Sequence, residues 1–116
     1  MNFYEHTIIA RQDTSPSELK QLTEKYSKIV EKNHGEIVKT ENWGLFNLSH
    51  LIKKNKKGSY IHFKIKGDGK MILELEKNEA LDKKLLRYLT VKVKQFDLET
   101  NYFSNKDQKE NKELKN

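Results

Sequence analysis

The chain has 116 residues and no cysteine, with 34% hydrophobic residues, 34% charged residues and a formal charge of +6. That length and apolar content suit one domain with a modest core. The absence of cysteine excludes disulfides and thiolate metal sites, no apolar run approaches the roughly 20 residues of a membrane helix, and the basic balance favours an anionic partner such as nucleic acid.

The opening residues lack a basic stretch followed by an apolar one, so no signal peptide is expected. Residues 3–11 read as a strand rich in β-branched and aromatic residues, ending at Arg11. A helix start follows: Ser15 can cap, Pro16 fits the first helical position and Glu18 closes a capping box. Leu19, Leu22, Tyr26, Ile29 and Val30 then recur at helical spacing. Gly35 is the expected stop, as a left-handed residue after His34. A second strand runs from Ile37 to about Lys53, with a bend or bulge near Gly44.

Lys53-Lys54-Asn55-Lys56-Lys57-Gly58 reads as a turn carrying four lysines. The next strand alternates, with Ile61, Phe63 and Ile65 on one face and Tyr60, His62, Lys64 and Lys66 on the other. Gly67-Asp68-Gly69 breaks it, and Asp68 can cap a second helix carrying Ile72 and Leu75, which frays through residues 78–82. The last strand spans Leu86 to Phe96, with Leu89, Val91 and Val93 on one face and Tyr88, Thr90, Lys92 and Lys94 on the other. This βαββαβ order predicts an α+β, ferredoxin-like split βαβ fold: a four-stranded antiparallel sheet with two helices on one face and the other face free to bind. Residues 1–96 form that domain. Residues 97–116 form a polar C-terminal tail expected to be disordered, most clearly from Asn105 onward.

Charge is unevenly spread. The tail has four lysines against five acids, so residues 1–96 carry 19 basic and 12 acidic side chains. Lys53, Lys54, Lys56 and Lys57 form one acid-free basic group. Lys83, Lys84, Arg87, Lys92 and Lys94 lie in another, between residues 83 and 94. A lone lysine turn is most simply a soluble hairpin tip, but two such stretches on one small domain favour contact with phosphates. Tyr60 and His62, mixed with lysines on the free sheet face, suit a protein partner better than stacked bases.

His6, His34, His50 and His62 have no metal-ligand spacing, and carboxylate pairs such as Glu74 and Glu76 sit among lysines as solvated charge. Trp43 reads as a packing residue beside the bend. An acyl-phosphate hydrolase would share this topology, but it needs a basic, glycine-rich loop after the first strand. Here residues 11–16 contain an acid and no glycine. No catalytic residue, metal ligand or cofactor is expected, and the chain is not read as an enzyme.

Over residues 1–96 the chain resembles the bacterial small-subunit ribosomal protein six family. Tyr4-Glu5, Trp43-Gly44 before a hairpin, Gly58 opening the third strand and the closing segment from Leu86 to Val93 all fit. The family signature runs from a glycine through a basic, a polar, a leucine, a small residue and a tyrosine to isoleucine and a basic or polar residue. Gly44, Asn47, Leu48, Ser49, Ile52 and Lys53 match it, whereas Phe46 replaces a usual basic residue and His50 a usual tyrosine. The resemblance implies the ferredoxin-like fold and a cytoplasmic place on the ribosome. It further implies binding to the central domain, or platform, of small-subunit ribosomal RNA together with small-subunit ribosomal protein eighteen. A free-standing RNA-binding module or translation regulator of the same fold is the alternative.

The expected RNA-contacting set is therefore Tyr4, Lys53, Lys54, Lys56, Lys57, Arg87, Lys92 and Lys94. Tyr4, Arg87 and Lys92 enter it through the resemblance, as contacts or their immediate support. The expected partner interface is Leu45, Phe46, Asn47, Leu48 and His50 on the arm, with Tyr60 and His62 beside it. No membrane and no small-molecule substrate are expected.

Overall fold

The computed structural model describes residues 2–96. The elements are β1 (Asn2–Arg11), α1 (Pro16–Lys32), β2 (Glu36–Ile52), β3 (Asn55–Gly67), α2 (Gly69–Ala80) and β4 (Leu85–Val93). The strands form one antiparallel sheet in the order β2-β3-β1-β4. This is the expected split βαβ arrangement; the tail lies outside the described residues.

Alternation along β1 sends Tyr4, His6, Ile8 and Ala10 inward, opposite Ile65, Phe63, Ile61 and Ser59 of β3. Leu22, Tyr26 and Val30 of α1 and Met71, Ile72 and Leu75 of α2 close over them, so both helices cover one sheet face. The capping signals are realised. Ser15 accepts from the Glu18 amide while Glu18 reaches back to the Ser15 amide, with Pro16 at the first helical position, and Asp68 caps α2 by accepting from the Met71 amide.

The end of α1 differs from expectation. The left-handed residue is His34, with φ 64°, and Gly35 follows it. The amides of His34 and Gly35 donate to the carbonyls of Glu31 and Val30, which makes a Schellman ending with histidine in the usual glycine place. Gly35 is required for space instead: a Cβ there would stand 2.2 Å from Met71 Sδ, 2.9 Å from Val30 Cγ1 and 3.0 Å from the Lys66 carbonyl oxygen. Gly35→Ala is expected to cost about 1–3 kcal/mol in urea unfolding through overpacking.

The pairing of β2 with β3 shifts at three places: it slips by one residue at Val38 and at Trp43, and it is irregular again between Asn47 and Ile52. Gly44 takes φ 92° just after the second, which meets the expected bend. The lysine turn is tighter than its sequence suggests. Lys53 and Lys54 alone form it, with φ 49° and 69°, the left-handed pair that a type I′ hairpin turn requires. Lys56 and Lys57 already belong to β3. Asn55 secures the turn by donating to the Ile52 and Lys53 carbonyls. Gln12 clamps the arm to the β1–α1 loop, its amide donating to Asn55 Oδ1 and its side chain accepting from the Lys57 amide.

Asp82, after α2, holds α1 to the β4 loop. It accepts from the Tyr26 hydroxyl at 2.6 Å, from Lys25 Nζ at 3.1 Å and from the Lys84 amide at 2.9 Å. Burial alone would raise the Asp82 pKa, but these donors outweigh it and hold the carboxyl below its usual range. The carboxylate therefore contributes stability at pH values above the unfolded pKa of about 3.9, and that stability is lost as pH falls through the lower folded value. Urea midpoints measured against pH should fall in this acid limb, and Asp82→Asn should flatten it; an unchanged limb would contradict the assignment.

Candidate nucleic-acid interface

The lysine arm and the Lys83–Arg87 part of the second basic stretch converge at one end of the sheet. Arg11 pairs with Gly58 and Ala10 with Leu85. The β2–β3 arm, the loop holding Lys83 and Lys84, and Arg87 therefore lie around the C-terminal end of β1. The arm extends past that end and carries Lys53, Lys54, Lys56 and Lys57 beyond it. Few acids temper this cluster: Asp13 lies 3.8 Å from Arg11, and Glu18 lies 3.2 Å from Lys84.

Arg87 pairs with Ile9 and so belongs to the sheet face without helices. There it borders a shallow pocket of about 130 Å³ lined also by Leu48, Ser49, His50, Ile52 and Tyr60. Burial raises the Tyr60 hydroxyl pKa, and the Arg87 charge partly opposes that rise. Phe46 meets Tyr60 edge to face at 5.5 Å between ring centres. The expected partner residues thus divide. Phe46, Leu48, Tyr60 and His62 share the open face, and His50 joins them at the pocket. Leu45 and Asn47, which pair with Ser59 and Lys57, lie on the opposite face of the arm.

Three of the expected RNA residues lie elsewhere. Tyr4 is buried among the core residues beneath the helices, where its ring supports β1. Lys92 pairs with Tyr4, five residues and roughly 17 Å along β4 from Arg87, on the helix side. Lys94 follows the end of β4 at that same distant edge.

The middle of the open face holds a polar network not anticipated from sequence. Glu5 accepts from His62 Nε2 at 2.8 Å and from Lys64 Nζ at 3.2 Å, and the Lys64 side chain is 0% exposed. Burial pushes the Glu5 pKa up, but these two donors more than offset it, leaving the carboxyl below its ordinary value. Burial is also the main influence on His62, and it keeps the ring below its usual pKa despite Glu5. A neutral His62 donates through Nε2 to Glu5 and accepts at Nδ1 from Thr7 Oγ1, 2.8 Å away. Trp43 stacks on that ring, 4.6 Å between centres and 10° from parallel, and donates to Glu41. His62 is consequently occupied on its edge and on one face, and Trp43 presents the outer aromatic surface. A glutamate opposite a histidine and a lysine on one strand face was legible as a cross-strand set once the β1–β3 register was known.

Under the helices lies a second polar group. His6 Nε2 stands 2.8 and 2.6 Å from the two carboxylate oxygens of Glu79, and both side chains are fully buried. Thr90 Oγ1 donates to Glu76, so His6 Nδ1–H donates to Thr90 at 2.6 Å and one proton lies between His6 and Glu79. Burial raises the Glu79 pKa, with His6 opposing. This arrangement joins β1, α2 and β4. It lies beneath the helices and serves the fold. Among the described residues, no group of histidine and carboxylate side chains has the geometry to hold a metal ion. Among the same residues, no helix is long and apolar enough to cross a membrane.

Comparison with known proteins accords with this geometry. Residues 3–92 match the family described as Ribosomal protein S6. The chain is 75% identical over 115 residues to "Small ribosomal subunit protein bS6" of Pelagibacter ubique, covering 99% of this chain and 95% of that one. It is 42% identical over 99 residues to the protein of the same name from Caulobacter vibrioides, covering 85% and 79% of the two chains. The crystal structure of 30S ribosomal protein S6 from Thermotoga maritima superposes with a TM-score of 0.75 at 26% identity, covering 99% and 98%. With the fold and the arm in place, this chain belongs to the Ribosomal protein S6 family of the small ribosomal subunit.

Proposed function

We propose that this protein is a non-catalytic structural constituent of the small ribosomal subunit in the cytoplasm. It binds the central domain of small-subunit ribosomal RNA together with small-subunit ribosomal protein eighteen. The observation that carries this reading is the meeting of the lysine arm with Lys83, Lys84 and Arg87 at one sheet end, beside an open face edged with apolar residues. Phosphate and sugar contacts from Lys53, Lys54, Lys56, Lys57 and Arg87 fix position, and RNA shape supplies specificity. Lys92 and Lys94 offer a second contact at the far end of β4. Phe46, Leu48, His50 and Tyr60 face the partner, which completes a surface that neither protein forms alone.

Arg87 is the sharpest test, because its delocalised charge suits a phosphate and it is exposed on the open face. Arg87→Ala should weaken assembly onto the RNA and lower the salt slope by about one. Normal assembly of this variant at raised salt would remove Arg87 from the RNA surface.

A further inference from the structure

The two edges of the sheet are β2 and β4, and they are built differently. β2 carries Glu36, Lys39 and Glu41, its pairing is broken by register shifts, and Gly44 bends it at φ 92°. Charges and irregularities of this kind keep an edge strand from pairing with another chain. β4 contains neither an acid nor a proline, and from Arg87 to Val93 it follows β1 without a register shift. Leu89 is 63% exposed, Val91 48% and Tyr88 37%. An edge that is regular, apolar and exposed is a template for a further strand.

The outer side of β4 is left open among the described residues. α2 sits inboard of it, with Glu79 bonded to His6 of β1 and Glu76 to Thr90. After Val93 the chain bends inward: the Phe96 ring lies 5.1 Å from Phe3 of β1 and 6.0 Å from Lys64 Nζ of β3. The backbone N–H and C=O groups that β4 turns away from β1 therefore have no strand to pair with among the described residues.

The strand complements itself. A two-fold axis perpendicular to the sheet keeps the helices of both copies on one side and opposes residues that face the same way. With that axis at Thr90, the middle of the regular run, Leu89 falls opposite Val91 of the second copy, Tyr88 opposite Lys92, and Arg87 opposite Val93. The first pair joins two exposed apolar side chains, and the second sets an ammonium beside an aromatic ring. No two like charges then stand across from each other, whereas an axis at Tyr88 would oppose Lys92 to Lys84. We propose that β4 pairs antiparallel with β4 of a second copy of this chain, centred on Thr90, to give one sheet that runs through both. A contact of this length buries less than the roughly 1,200 Å² of a stable interface, so the dimer is weak and reversible. The pairing stands independently of the ribosomal RNA reading.

The full chain, without RNA or any other protein, provides the test. Sedimentation velocity from micromolar to millimolar concentration should show a monomer moving toward twice its mass. High salt should strengthen the association, because each copy carries a net positive charge that salt screens. Amide signals of residues 87–93 should shift with concentration while those of β2 stay fixed. Leu89→Lys, at a position whose side chain meets solvent, should keep the fold and remain monomeric. The absence of cysteine allows a check of register. An equal mixture of Leu89→Cys and Val91→Cys proteins, oxidised with diamide, should yield the mixed disulfide well above its statistical share, because directly opposed residues come within disulfide reach and a residue and its own copy do not. A monomer at every concentration would overturn the proposal. So would concentration-dependent shifts confined to β2 or the arm, a Leu89→Lys protein that still dimerises, or a statistical mixture of the three disulfides.

Discussion

Replacing His6 by alanine is expected to lower stability by about 3–5 kcal/mol at neutral pH, the typical cost of breaking a buried ion pair by removing one partner. Glu79 is left without its donor, at a site that is 1% exposed. Thr90 loses the proton it accepts, and a cavity opens between β1 and α2. The pair is not expected to be a large net source of stability, because desolvating both groups offsets much of their attraction. His6→Val combined with Glu79→Leu should therefore recover most of the loss. Urea unfolding of the two single variants and the double variant gives the coupling energy directly. A His6→Ala loss below about 1 kcal/mol, or a double variant no better than the singles, would contradict the buried-pair assignment.

Replacing Lys53, Lys54, Lys56 and Lys57 together by glutamine should reduce the slope of log affinity against log salt by roughly three for ribosomal RNA. The loss should be similar for any RNA sequence of the same shape, because these side chains contact phosphates rather than base edges. Stability should change little: the turn is held by Asn55 and Gln12, and both remain. An unchanged salt slope would show that the arm points away from the RNA and would assign it wholly to the protein partner.

Much of the fold was legible because local signals agreed with one another. Ser15, Pro16 and Glu18 fixed the start of α1, Asp68 fixed α2, and the alternation of Ile61, Phe63 and Ile65 fixed the inner face of β3. Alternation alone could not say which face of β4 points inward. The apolar set Leu89, Val91 and Val93 suggests a core by composition, yet Thr90 bonds His6 and Glu76 under the helices and the apolar set faces out. That choice depends on the β1–β4 register, a long-range property.

The buried pair left a readable trace. His6 falls between Tyr4 and Ile8 in an inward series, and Glu79 continues the Met71–Leu75 stripe at helical spacing. Each is a polar residue in an apolar place, and each has the other as its answer. His34 and Gly35 exchanged roles because a glycine can be demanded by space as well as by φ. The basic stretches were legible as groups, but their meeting at one sheet end required the topology, which also separated Lys92 and Lys94 from Arg87.

The central claim is tested most directly by binding the purified protein to a central-domain fragment of small-subunit ribosomal RNA, with and without protein eighteen, at two salt concentrations. Tight, salt-sensitive binding only in the presence of protein eighteen is the predicted result. Equally tight binding by the protein alone would contradict it and favour a free-standing RNA-binding module.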